Sequence, residues 1–251
     1  MKATNPYIHI NSVNTITLQL LKGFMDKMTA LLDLAIKRKQ TEPRPGSTRL
    51  GDYQHGIYEC DYVSPFTKGA CKVNANIFLL LQDWSSHNDM SKPVIDLERQ
   101  KLELKYGYTP NQPTNIKLTE LLKTYFSVEI SDTYGTNLYP YIKSDDMCSS
   151  ILQEDLVWAA EQFALPQIKI VEPKLVICFG KVTFNAIRTA CDEKEVDTVE
   201  EGINAFFPFH NSMVWLQAHP GFYGQQSRNR GGVDKVNPDW EKMAEYFHSL
   251  P

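Results

Sequence analysis

The chain has 251 residues, 42% of them apolar, and a formal net charge of -4 at pH 7. That length can bury a full core in one large domain. The acidic balance excludes a surface coated in positive charge, so a nucleic-acid partner has to meet a local basic patch. In chain order, the first forty residues predict a helix. Ile16, Leu20, Leu21, Phe24, Met28, Leu31, Leu32 and Leu34 recur at helical spacing, and Lys37-Arg38-Lys39 close the stretch where positive charge complements the helix dipole. A mobile Pro/Gly-rich loop is expected from Pro43 to Gly51, carrying Arg44 and Arg49. Residues 76–82 read as the first buried strand, an apolar run too short for most helices. A charged helix follows around Asp96 to Lys105, then a turn at Thr109 to Pro113 and a helix from Leu118 to Phe126.

The second half is more regular. Tyr134 to Tyr139 predicts a short strand, and Ser144-Asp145-Asp146 supply caps for a helix starting near Met147 or Ser149. That helix runs through Leu152, Leu156, Ala159 and Phe163, and Pro166 is expected to interrupt or kink it before Ile168 to Val171. Lys174 to Phe179 is the next strand, Gly180 a turn, and Val182 to Cys191 a helix. Met213 to Ala218 is the last strand, followed by a loop from Gly221 to Val236 and a final helix opened by Asn237-Pro238. Strands alternating with helices predict a three-layer α/β/α sandwich with a mostly parallel central sheet. No internal repeat or second-domain boundary is visible, so residues 1–251 read as one domain, with 1–50 as an N-terminal helical extension and basic loop.

Cysteine usage and hydropathy narrow the class further. Cys60, Cys71, Cys148, Cys178 and Cys191 include no C-x-x-C pair, so neither a metal site nor an iron–sulfur cluster is expected. Their scattered placement suits reduced thiols. With no signal-peptide pattern and no apolar run near ~20 residues, the expectation is a cytoplasmic protein without a membrane partner.

Three short polar motifs each end an apolar run: Gln82-Asp83-Trp84-Ser85, Thr136-Asn137-Leu138-Tyr139-Pro140 and Ala218-His219-Pro220-Gly221. In an open α/β sheet, ligand-handling residues gather outside the carboxyl ends of parallel strands. A carboxylate, an amide and an imidazole delivered in that way can share one pocket. In this order the motifs resemble those of the uracil-DNA glycosylase superfamily. Gln82-Asp83 is similar to the start of its Q-D-P-Y-H motif, Asn137-Leu138-Tyr139-Pro140 to its N-L-x-P form, and His219-Pro220 to its H-P-S. Pro173 to Lys181 resembles the family's P-x-x-I-x-x-L-G turn. The resemblance runs from about residue 57 to the C-terminus.

It implies a monofunctional DNA glycosylase that flips a pyrimidine and leaves an abasic site, without metal or cofactor. Base release passes through an oxocarbenium-like sugar and an anionic leaving base. Asp83 is therefore the candidate for orienting water and stabilising positive charge, and His219 for donating to the departing base. Asn137 would read the flipped base, an amide being able to present either its donor or its acceptor. Gln82, Trp84 and Ser85 complete the expected base-binding set. Each of the three polar residues also has a plain reading, as a turn aspartate, a local cap or a satisfied buried side chain. A lyase step would use an amine nucleophile, and no motif marks a lysine for it.

Two departures shape the substrate expectation. Trp84 replaces the family's proline, and Ser85 stands where the uracil-specific branch carries a tyrosine that packs against C5 of uracil. Serine leaves room there, which implies a C5-modified pyrimidine, extending to hypermodified cytosine in viral DNA and a role in antiviral defence. The wedge that fills the space left by the base is expected at Phe222 or Tyr223. Phosphate contacts are expected at Arg228, Arg230 and Lys235, with Lys143 and Lys68 weaker candidates. Trp84, Tyr106 and Tyr108 are the aromatics available to stack on the base. The rival readings are a uracil-DNA glycosylase of base-excision repair and, in another class, an inactive DNA-binding module. A small-nucleotide hydrolase lacks its phosphate loop in this sequence.

Overall fold

The computed structural model describes residues 7–250, so the first six positions of the expected N-terminal helix, and Pro251, lie outside the described residues. Five strands form one sheet: β1 (Ile77–Leu81), β2 (Tyr134–Asn137), β3 (Leu175–Phe179), β4 (Phe207–Phe209) and β5 (Ser212–Gln217). Their order is β2-β1-β3-β5-β4, parallel throughout except for the antiparallel edge strand β4. The central strands are buried along their whole length, which is why they read as unbroken apolar runs.

Alternation along each strand feeds two cores. Phe78, Leu80, Val176, Cys178, Val214 and Leu216 point to one face, where α5 (Gln153–Ala159), α6 (Leu165–Val171) and α7 (Lys181–Ala190) pack. Ile77, Leu79, Ile177, Phe179 and Trp215 point to the other, covered by α4 (Pro113–Phe126) and α10 (Val236–Ser249). The result is an α/β architecture with a mostly parallel central sheet and helices on both faces. Among the described residues no helix is long and apolar enough to cross a membrane.

The N-terminal helix α1 (Tyr7–Gln40) turns Leu31 and Ala35 inward and leaves Leu20, Leu21, Phe24, Met28 and Leu32 exposed. Arg38, expected to serve the helix dipole, is instead buried. Its guanidinium bonds Glu59 at 2.6 and 2.9 Å and the Cys60 and Tyr62 carbonyls, tying α1 to the following loop. The Pro43 to Gly51 loop is also anchored. Arg44 bonds Asp155 at 2.5 Å, Arg49 bonds Glu42, and Thr48 pairs with Ile142.

Several boundaries differ from expectation for definable reasons. Asp146 caps a turn, accepting from the Cys148 and Ser149 amides, and the helix begins only at Gln153. At Pro166 the expected interruption is present: a π-helical turn, Ala160–Ala164, separates α5 from α6, which carries Pro166 in its first turn. The expected turn up to Pro113 is shorter, because Pro113 stands at the first turn of α4. Phe222–Arg228, expected as loop, forms the short helix α9. Between β1 and α4 lie α2 (His87–Met90) and α3 (Leu97–Tyr106), and between α7 and β5 the chain adds α8 (Val199–Asn204), whose N-cap Thr198 accepts from the Glu201 amide.

Candidate active site

Asp83 and His219 follow β1 and β5, Asn137 is the last residue of β2, and the three line one cavity of about 350 Å³ at the carboxyl ends of the parallel strands. This is where the strand order reverses, between β1 and β3, and where loops diverge to leave a crevice. Trp84 and Ser85 line the same cavity, together with Phe66, Tyr58 and Tyr108. The β1–β2 pairing continues past the strands. The Leu138 and Tyr139 amides donate to the Leu81 and Gln82 carbonyls at 2.7 and 2.8 Å. Further on, the His87 amide donates to Lys143 at 2.8 Å. Asp83 is thus held on a loop clamped at both ends.

The Asp83 side chain is nearly buried, and burial pushes its carboxyl above the usual carboxylate range. Lys143 and Gln82 pull it back. The Lys143 ammonium lies 3.3 Å from Oδ1 and 3.4 Å from Oδ2, and Gln82 Nε2 donates to Oδ2 at 3.0 Å. Gln82 therefore acts on Asp83 rather than along the cavity wall. Lys143, expected as a weak phosphate contact, is only 4% exposed and faces inward.

His219 is oriented from behind. Its Nδ1 accepts the Gly221 amide proton at 3.0 Å, so a neutral ring carries its own proton on Nε2. The residue keeps an exposed surface, yet the protein packed around its imidazole lowers its pKa, which favours that neutral form near pH 7. Two glycines make the arrangement possible. A Cβ on Gly221 would lie 2.9 Å from His219 Nδ1, and one on Gly224 only 2.3 Å from the His219 carbonyl oxygen.

Asn137 is fixed by Ser64, which precedes the short 3₁₀ helix Pro65–Gly69. The Phe66 amide donates to Ser64 Oγ at 3.3 Å, and the Ser64 hydroxyl in turn donates to Asn137 Oδ1 at 2.5 Å. The amide therefore spends a lone pair inside the protein and keeps its N–H₂ for the cavity. Trp84 is equally constrained. Its indole N–H donates to the Gly107 carbonyl at 2.7 Å, and its ring centroid lies 5.4 Å from that of Tyr58. Ser85 makes no side-chain hydrogen bond among the described residues, and Gln54, Asp89, Arg99 and Glu103 line the same cavity.

No protein-family model and no curated protein matches this chain.

The expected wedge and phosphate candidates do not line this cavity. Phe222 and Tyr223 open α9 and stand 68% and 82% exposed, with ring centroids 5.5 Å apart. Arg228 is turned inward to Asp239, at 2.5 and 2.9 Å, and to Glu200, which Lys235 also meets at 3.2 Å. Both cations are therefore already neutralised, whereas Arg230 is exposed and makes no ion pair among the described residues. Lys68 donates to the Leu104 carbonyl. Of the stacking candidates, Tyr106 lies outside the cavity, and Phe66, which the motifs do not mark, lies in it 5.0 Å from Tyr108. The Ser-Pro pair ahead of Phe66, a hydroxyl cap followed by a first-turn proline, is the sequence feature that could have flagged this segment.

Proposed function

We propose that this chain is a monofunctional DNA glycosylase of the uracil-DNA glycosylase type, acting on a flipped pyrimidine with a C5 substituent. The observation that carries the reading is the convergence of Asp83, Asn137 and His219 on one base-sized cavity, each side chain held by its own partner. In the reaction the N-glycosidic bond breaks with its electron pair going to N1 of the base. The Asp83 carboxylate faces the positive charge on the sugar and takes a proton from the water that adds to C1′. His219 Nε2–H donates to the base oxygen as negative charge develops there. A neutral donor suffices for this, and Gly221, where the family has serine, leaves the ring its place.

Two features support a modified cytosine over uracil. With Oδ1 engaged by Ser64, Asn137 offers a donor, which suits the N3 acceptor of cytosine and opposes the N3–H of uracil. Ser85 leaves the C5 side open, and the cavity it lines also carries Gln54, Asp89, Arg99 and Glu103, groups that suit a polar substituent. Bases of that kind would place the activity in defence against modified viral DNA. The deciding experiment is base release, followed by mass spectrometry, from DNA containing uracil, thymine, 5-hydroxymethyluracil, 5-hydroxymethylcytosine or glucosylated hydroxymethylcytosine. Release of a bulky C5-modified base sustains the reading. Release of uracil alone returns the protein to base-excision repair, and binding without release makes it a DNA-binding module.

Two substitutions sharpen the test. Ser85→Tyr is expected to lower kcat/KM for bulky C5-substituted bases at least about 100-fold, because an overfilled pocket cannot close around them. Unmodified pyrimidines should change little, and undiminished release of the bulky base would refute the open C5 side. Ser64→Ala frees Asn137 Oδ1 and lets the amide turn over. The ratio of cytosine-type to uracil-type release should fall about tenfold, the worth of one hydrogen bond, as measured in competition on mixed substrates.

A further inference from the structure

We infer that Lys143 is a positioning residue for Asp83, a built-in countercharge that keeps the carboxylate ionised and aimed at the cavity; the inference rests on the glycosylase reading for what Asp83 does there. The two side chains come from the segments after β1 and β2, yet the Lys143 ammonium lies 3.3 Å from Asp83 Oδ1 and 3.4 Å from Oδ2. The same ammonium donates to the Met147 carbonyl at 2.8 Å, so it is held inside the protein from two sides. An amine held in this way is a fixed cation rather than a nucleophile, which separates the role from a lyase lysine.

The backbone enforces the pair. Ser86 and Lys143 are bridged in parallel, and the His87 and Asn88 amides donate to the Lys143 and Asp145 carbonyls, both at 2.8 Å. The other charged and titratable groups around the cavity are engaged elsewhere. Arg99 pairs with Glu103, Asp89 with Lys92, His87 bonds Tyr53, and His219 accepts from Gly221. Tyr58 and Tyr108 also line the cavity, and burial pushes the Tyr108 hydroxyl further up. Lys143 is therefore the one cation within ion-pair distance of Asp83 among the described residues. Burial alone favours the protonated acid, and the ammonium opposes that tendency.

The test compares wild type, Lys143→Met and Lys143→Arg by two readouts: titration of the Asp83 carboxyl by ¹³C NMR, and the pH profile of base release. In Lys143→Met the Asp83 titration and the acid limb of kcat should both move to higher pH. At the acidic end kcat should fall about tenfold more than on the alkaline plateau, with KM for DNA unchanged. Lys143→Arg should restore both, and Lys143→Gln, which keeps a donor for Met147, replaces Lys143→Met if the latter does not fold. An Asp83 titration that stays in place without the cation overturns the inference. So does a borohydride-trapped adduct on Lys143, which would make it the nucleophile. If no DNA yields a released base, the glycosylase reading falls by itself, while the carboxyl titration still decides whether the cation governs Asp83.

Discussion

Asp83→Asn is expected to lower the rate of base release about 1,000-fold while leaving DNA affinity nearly unchanged. The substitution preserves shape, but removes the negative charge and the proton acceptor that the proposed reaction assigns to Asp83. On the proposed function the DNA contacts fall to the exposed Arg230, Phe222 and Tyr223 rather than to Asp83, so binding has no reason to follow. Single-turnover release and fluorescence-anisotropy binding on the same modified duplex separate the two quantities. The pH profile gives a second check. Burial raises the Asp83 pKa, so wild-type activity should be lost on acidification at a pH above the usual carboxylate range. The residual activity of Asp83→Asn should lack that limb. Equal loss of binding and release would instead mean that Asp83 holds the loop rather than performs chemistry. Thermal unfolding measured in parallel guards the interpretation, because the buried Lys143 loses its counterion in this variant.

How much of this was legible in the sequence depended on burial. β1, β3 and β5 are flanked by helices on both faces, so each is a short apolar run that no amphipathic helix would show. The polar motifs became visible for the same reason: they begin where those runs stop. Elements that bury only part of their surface were missed. β4 is a three-residue edge strand, too short for a period to register, and α8 spans six residues. Its Thr198-x-x-Glu201 cap was nonetheless readable before the structure. Asp146 misled because an aspartate cap serves a turn as readily as a helix.

In the site, the legible residues were those whose chemistry announces itself at a strand end. The partners that orient them were not. Ser64 reaches Asn137 across 73 positions and Lys143 reaches Asp83 across 60, separations that only the sheet topology closes. The expected phosphate contacts show the opposite failure. In sequence Arg228 and Lys235 look like free charges in a basic loop, but Glu200 and Asp239 already neutralise them in the fold. A count of basic residues therefore overstates the free positive charge of this loop, because pairing between surface loops leaves no local pattern.

Gly107→Ala is expected to destabilise the protein by about 3 kcal/mol or more and to damage the site with it. Gly107 ends α3 (Leu97–Tyr106) in the left-handed conformation at φ +75°, where its amide bonds the Glu103 carbonyl. A side chain there is strained on its own account. The larger cost is steric, because a Cβ would stand 1.6 Å from the Pro65 carbonyl oxygen and 2.9 Å from the Phe66 nitrogen. These are backbone atoms of the 3₁₀ helix that follows Ser64, so relief requires moving α3 or that helix. Either movement reaches the cavity. The Gly107 carbonyl receives the Trp84 indole N–H, while Ser64 and Phe66 fix Asn137 and one cavity wall. Chemical denaturation should show a lower midpoint with an unchanged slope, and base release should fall even where the variant remains folded. A variant as stable as wild type would mean that α3 does not pack on Pro65 as described, and the orientation of Asn137 through Ser64 would lose its support.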